Sequence, residues 1–207
     1  MTQAASKSRV SFEEYIDFCA QTDERYELVQ GELYPMNPPT MLHYRIAKFL
    51  ERVFDQAIEE HLDPEEWETV RELGQRTDIA SSRLLDVAIV SKAEAETLLR
   101  QTAVFQNPSL LVVEIVSPSS VTEDYDRKLK EYEALGVGEY WIVDYEGLGA
   151  AKYLGFPKAP TLSVCRLVEG KYEAKRFRSD EPIESFTFGQ MKLTAEQVFA
   201  AGKQKDT

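Results

Sequence analysis

Cysteine is scarce in this chain. Among 207 residues only Cys19 and Cys165 occur, too few and too far apart for a metal knuckle or a disulfide scaffold, and they read as inert thiols. Long apolar runs are also missing: none approaches the roughly 18 residues that a bilayer-crossing helix requires. The N-terminal MTQAASKSRV is polar and has no apolar segment, so the expectation is a soluble, cytoplasmic protein with no membrane association. Positive charge is short as well. Lys and Arg number 24 against 36 Asp and Glu, giving a net charge of -12 and a sequence pI of about 4.8, whereas a nucleic-acid-binding domain usually shows a basic balance. There is no composition shift, internal repeat or low-complexity tract. What is present, a hydrophobic content of 43%, suffices for one core, so a single domain is expected over residues 11–200, between a disordered tail at 1–10 and a C-terminal tail at 201–207.

Local patterns give a coarse order of elements. SFEEYIDFCA places Phe12, Tyr15, Ile16 and Cys19 at helical spacing, with Ser11 and Glu14 forming a capping box. RYELVQGELYPM predicts a hairpin around Gln30-Gly31, and Pro35, Pro38 and Pro39 a stiff loop. From Thr40 an apolar series from Leu42 to Ile58 predicts one long amphipathic helix ending near His61. Strands are expected at Glu68 to Leu73 and Leu84 to Val90. LLVVEIV then reads as a buried strand, Ser120 to Glu123 as a capping box, Val121 to Leu135 as a helix ended by Gly136, and EYWIVD as the next strand. That length suits a parallel crossover with its helix on the sheet face. Antiparallel strands around Glu169-Gly170 and a helix from near Thr194 complete the pattern.

Two of the apolar strands each carry one acid. Glu114 interrupts LLVVEIV, and Asp86 is the sole charge between Leu84 and Val90. An unpaired carboxylate is costly to bury, so each needs a partner, a metal or a raised pKa. Asp86 alone is also explained as a strand-end carboxylate paired with Arg83 or capping a turn. Together, two carboxylates on neighbouring strands repel unless a cation lies between them, and a hard divalent ion such as magnesium suits oxygen ligands. On the following helix Tyr125, Leu129, Tyr132 and Leu135 define the buried stripe. At 100° per residue Lys128 lies roughly 45° from its centre and Lys130 roughly 155° away. Lys128 therefore borders the sheet, though helix geometry alone equally describes a lysine covering apolar surface with its stem. The serines of SPSS do not suggest a nucleophile, because no histidine or acid stands in a recognised relation to them.

LLDVAIV, LVVEIVSPSS, DRKLKEYEALGVGEYWIVD and YELVQGELYPMNPPTMLHYRIAKFL resemble the Uma family of restriction-endonuclease-like proteins, in the PD-(D/E)XK nuclease superfamily. The likeness runs from about Ser11 to Phe199 and is most specific from Leu110 to Asp144. It implies an α/β (α+β) fold: a restriction-endonuclease-like core with a mixed central β-sheet flanked by helices and additional antiparallel strands.

By position, the resemblance makes Asp86 and Glu114 metal ligands, with the Ile115 backbone carbonyl as a third donor, and Lys128 the catalytic lysine. Leu85 stands where the superfamily usually has proline, and Val116 where it often has lysine; Lys128, four residues before Tyr132, takes the lysine's part. Glu27 and His43 lie in the N-terminal segment shared with the family and are further candidates, as an additional acid and as a phosphate contact or proton shuttle. Glu27 is also explained by pairing with Arg25, His43 by packing, and Asp144 as a strand-end turn residue. The implied activity is magnesium-dependent hydrolysis of DNA, with manganese as a substitute and a homodimer expected for cutting both strands. The acidic balance keeps open a second reading, a binding or regulatory module on the same fold without hydrolysis. Another phosphate ester, or RNA, is a third possible substrate.

Overall fold

The structure is a computed structural model that describes residues 9–203. Its elements are α1 (Phe12–Cys19), β1 (Tyr26–Val29), β2 (Glu32–Pro35), α2 (Met41–His61), β3 (Trp67–Val70), β4 (Gly74–Asp78), β5 (Ser81–Leu84), β6 (Val87–Ser91), α3 (Lys92–Leu98), β7 (Val104–Phe105) and β8 (Leu111–Ile115). A π-helical turn (Glu123–Arg127) then leads into α4 (Lys128–Leu135). Next come β9 (Glu139–Asp144), α5 (Ala151–Leu154), β10 (Thr161–Val168), β11 (Lys171–Phe177), β12 (Pro182–Ser185), β13 (Gly189–Thr194) and α6 (Ala195–Gly202). Most of both expected tails falls outside the described residues. Within them, Val10 N–H already bonds the Gly31 carbonyl at 2.8 Å, and α6 runs to Gly202.

A six-stranded mixed sheet, ordered β11-β10-β9-β8-β6-β3, carries the core. Side chains alternate across it, as strand geometry requires. Val87, Ile89, Leu111, Val113, Ile115, Trp141 and Val143 face α2 and α6, while Ala88, Val90, Val112, Val116, Tyr140 and Ile142 face the layer containing Tyr125 and Tyr132. The expected crossover is present, with β8 and β9 parallel and Gly136 closing α4 at a φ of 93° that suits glycine. A second, five-stranded sheet is ordered β2-β1-β5-β4-β7.

The sequence patterns set α1 and α2 correctly, including the reciprocal Ser11–Glu14 cap. Three expectations need correction. Leu84 to Val90 is not one strand: β5 ends at Leu84, β6 begins at Val87, and the chain changes sheets across Leu85-Asp86. The apolar run is continuous because both flanking strands are buried, so hydropathy alone does not mark the break. Ser120 and Glu123 form no capping box: Ser120 Oγ donates to Asp124 instead, and Glu123 turns to Arg127 and Arg83. The strand expected at Glu68 to Leu73 is the shorter β3, and β4 follows it directly.

Candidate active site

The site lies where the two sheets part. β6 and β8 pair antiparallel in the register Val87↔Val113 and Ala88↔Val112, and the same register continued one residue brings Asp86 opposite Glu114. Two acids facing each other across neighbouring strands repel, and the surroundings supply what holds them. Asp86 is fixed through Oδ2, which accepts the Ile115 N–H at 2.7 Å and meets His43 Nε2 at 3.0 Å. The second strand thus anchors the carboxylate through its backbone, and α2 anchors it through His43. Asp86 does not pair with Arg83.

Glu114 shares a sheet face with Val112 and Val116, is 2% exposed, and points at the helix that follows it. Lys128 Nζ donates to its Oε2 at 2.8 Å and Tyr132 Oη to its Oε1 at 2.7 Å. The two donors stand one turn apart on α4. Ser120, Asp124, Lys128 and Tyr132 recur every four residues, a series that drifts by about 40° per step in an uninterrupted α-helix. The π-turn, with more residues per turn, offsets that drift. Asp124, Lys128 and Tyr132 are consequently all buried.

Lys128 is the centre of charge. Besides Glu114, its ammonium lies 3.6 Å from Glu27 Oε1 and 3.6 Å from Asp124 Oδ1. Burial alone would lower its pKa, but Glu114, Glu27, Asp124 and Asp86 together hold it well above the ordinary lysine value. Burial drives the Glu114 carboxyl well above the ordinary carboxylate range against the opposing pull of Lys128, and Asp86 and Asp124 raise it further. For His43, burial is the largest influence and would lower the pKa, but the hydrogen bond to Asp86 together with the negative charges of Asp86 and Asp124 makes the net shift upward.

Glu27 reaches the site from β1 and ties the second sheet to it. Its Oε2 accepts from Arg83 Nη1 at 2.9 Å and its Oε1 from Leu84 N–H at 3.1 Å. Arg25, the partner considered from sequence, pairs with Glu72 instead. Arg83 is the hub that sequence reasoning missed: it also donates to Glu131 at 2.6 and 2.7 Å and lies 3.2 Å from Glu123. Asp124 was missed too. Its four-residue spacing to Lys128 was the available signal, obscured because Asp124 lies outside the apolar stripe. Asp144 caps the end of β9, accepting from Leu148 N–H, Gly149 N–H and Tyr125 Oη, as a strand-end turn residue does.

The structure brings Asp86, Glu114, Lys128, Glu27 and His43 to one cavity of about 720 Å³, which Ile115 also lines. Its walls carry both signs of charge. Each basic group on them is paired: Arg25 with Glu72, Arg83 with Glu27, Arg127 with Glu123, Lys128 with Glu114 and His43 with Asp86. No cluster of three or more acidic, histidine or cysteine side chains in metal-binding geometry occurs among the described residues. Two carboxylates and a backbone carbonyl are nevertheless a donor set that fits magnesium, which commonly keeps several waters and binds through one or two carboxylates.

Mixed sheets with flanking helices and a cleft between them make an α+β architecture. The chain matches the model of the family described as "Uma2: Putative restriction endonuclease" over residues 12–196, and it belongs to that family. Among solved structures, a protein from Anabaena variabilis ATCC 29413 described as a "putative nuclease belonging to DUF820" is similar at 15% identity and a TM-score of 0.71, covering 94% of this chain and 99% of that one. At that identity the likeness speaks for the fold. No curated protein matches the chain. Among the described residues no helix is long and apolar enough to cross a membrane.

Proposed function

We propose that this chain is a nuclease that hydrolyses DNA phosphodiester bonds with a divalent cation, magnesium or in its place manganese. The observation that carries the reading is the convergence of Asp86, Glu114 and Lys128 on one cleft from the β5–β6 junction, β8 and α4. Asp86, Glu114 and the Ile115 carbonyl would hold the ion. When bound, it supplies Lewis-acid polarisation of the scissile phosphate and neutralises developing charge. Lys128, held protonated, orients the attacking water and offsets charge on the pentavalent phosphorus. His43 fixes the Asp86 carboxylate through Nε2. Glu27 positions Lys128 from the opposite sheet. Cleavage of both strands of a duplex calls for two such sites, so a homodimer accompanies the reading.

A second reading, a binding module that does not hydrolyse, is favoured by one observation: every basic side chain lining the cleft is already paired with a carboxylate, which leaves little free charge for phosphates. The two readings separate on plasmid DNA incubated with magnesium beside Asp86→Ala and Lys128→Ala. Nicking by the wild type alone supports the nuclease. Duplex binding without nicking supports the module, and equal nicking by all three proteins removes the site.

A further inference from the structure

Asp124 is the buried acid of the cleft to which the proposed reaction gives no part. It is 1% exposed, and its two oxygens differ. Oδ2 accepts from Ser120 Oγ at 2.5 Å, whereas Oδ1 has no hydrogen-bond partner among the described residues. A bare, buried carboxylate oxygen is costly and calls for an explanation. Its nearest cation is Lys128 Nζ, at 3.6 Å, within about 1 Å of hydrogen-bonding distance.

The same ammonium sits 2.8 Å from Glu114 Oε2, and Tyr132 occupies Glu114 Oε1. A divalent cation approaching Glu114 therefore meets a lysine already on one oxygen and a phenol on the other. The lysine stem is flexible and its ammonium carries three donors, so a small displacement is enough to exchange carboxylates. We propose that Asp124 is a positioning residue for Lys128: the ammonium has two carboxylate berths, Glu114 Oε2 in the cation-free cleft and Asp124 Oδ1 once a divalent cation takes Glu114. The proposal rests on the cation reading above. Glu27 Oε1 stands at the same 3.6 Å but already accepts the Leu84 N–H, so Asp124 Oδ1 is the bare berth; without it lysine and metal compete for Glu114, and with it Lys128 stays charged at the site and the metal gains its ligand.

The test is calorimetric titration of the full chain with Mn²⁺, comparing wild type, Glu114→Gln, Asp124→Asn, Lys128→Gln and the Asp124→Asn/Lys128→Gln double variant, each checked for folding by near-UV circular dichroism. Asp124→Asn should bind about tenfold more weakly, the scale on which groups that orient metal ligands act. Lys128→Gln should bind at least as tightly as wild type, and the double variant should match Lys128→Gln, because a berth has no effect without its occupant. Lys128→Met replaces Lys128→Gln if the latter does not fold. Unchanged binding by Asp124→Asn overturns the proposal. So does a tenfold loss that persists in the Lys128→Gln background, which would make Asp124 act on the metal directly. Equal binding by wild type and Glu114→Gln, or no binding by wild type, removes the cation reading and this proposal with it; a weakened Glu114→Gln beside an unaffected Asp124→Asn removes the proposal alone.

Discussion

Replacing Arg83 with Met should destabilise the fold by about 3 kcal/mol, and the structure shows which of its ion pairs sets that figure. Arg83 is 1% exposed and faces three carboxylates that differ in their access to water. The Glu131 and Glu123 side chains are 23% and 28% exposed. Both can turn outward when the guanidinium is gone, and Glu123 keeps Arg127 at 2.7 Å; such pairs contribute about 1 kcal/mol or less each. Glu27 has no such escape, with its side chain 6% exposed and the Arg83 contact at 2.9 Å. Breaking a buried pair on one side costs about 3–5 kcal/mol, because a charge is left without compensation. Glu27 retains the Leu84 N–H and Lys128 at 3.6 Å, which places the expected cost at the lower end. For a domain of this size about 3 kcal/mol corresponds to a Tm lower by roughly 6–12 °C. Urea unfolding followed by near-UV circular dichroism measures the loss, and Arg83→Met/Glu27→Gln should recover more than about 1 kcal/mol of it, since the stranded charge is then gone. A loss below about 1 kcal/mol, or a double variant no more stable than Arg83→Met, would refute the argument.

Lys128→Met should lower magnesium-dependent plasmid nicking at least about 100-fold, as loss of a charge-stabilising group does, while leaving the near-UV spectrum native; undiminished nicking excludes Lys128 from the reaction. Burial pushes the Asp124 carboxyl up to about 6, against the pull of Lys128 and Ser120. A carboxyl with a raised folded pKa penalises the folded state once ionised, so wild-type stability should fall as pH rises from about 4 to about 6. Asp124→Asn should flatten that segment and be the more stable protein at pH 8, by up to about 3 kcal/mol; identical stability–pH curves would contradict this. Phe54 packs edge-on against Trp141 and stacks on Phe188 at centroid distances of 5.3 and 5.8 Å, so Phe54→Ala should cost about 3–5 kcal/mol in urea unfolding, and a loss under about 1 kcal/mol would mean the layer repacks. Duplex binding itself should require the divalent cation. Fluorescence anisotropy with Ca²⁺ should show binding that EDTA abolishes, whereas equal binding in both conditions would point to a basic surface outside the cleft.

The parts legible in the sequence were those governed by one local rule. The α1 cap, the Gln30-Gly31 hairpin, the long α2 and the parallel β8–β9 crossover follow from spacing and turn chemistry, and Glu114 and Asp86 stood out as single charges in apolar runs. The change of sheet at Leu85-Asp86 was hidden because strands on both sides are apolar. Lys128 was placed near the sheet by a uniform helical wheel, yet the π-turn before it buries it more deeply than that wheel implies. Arg83, Glu131 and Asp124 were not legible as site residues. The partners of Arg83 lie 40 or more positions away, and nothing local distinguishes a buried arginine inside SSRLL from an exposed one.

The acidic balance of the chain weighed against nucleic acid when it was only a number. The cleft changes its meaning, since Glu27, Asp86, Glu114 and Asp124 are gathered around one buried ammonium. Such a set is unfavourable for folding, as the raised Glu114 and Asp124 carboxyls indicate, and a site that stabilised only the fold would be better served by fewer acids or by apolar side chains. The cleft is lined by Glu27, Glu72, Asp86, Glu114, Glu123 and Asp124 against Arg25, Arg83, Arg127, Lys128 and His43, a small acidic excess that favours a divalent cation over a phosphate. On the proposed reading, therefore, the site is tuned to take the metal first and the phosphodiester second. On that reading the net charge of -12 no longer counts against a nucleic-acid substrate, because the cation and not the chain would meet the phosphate.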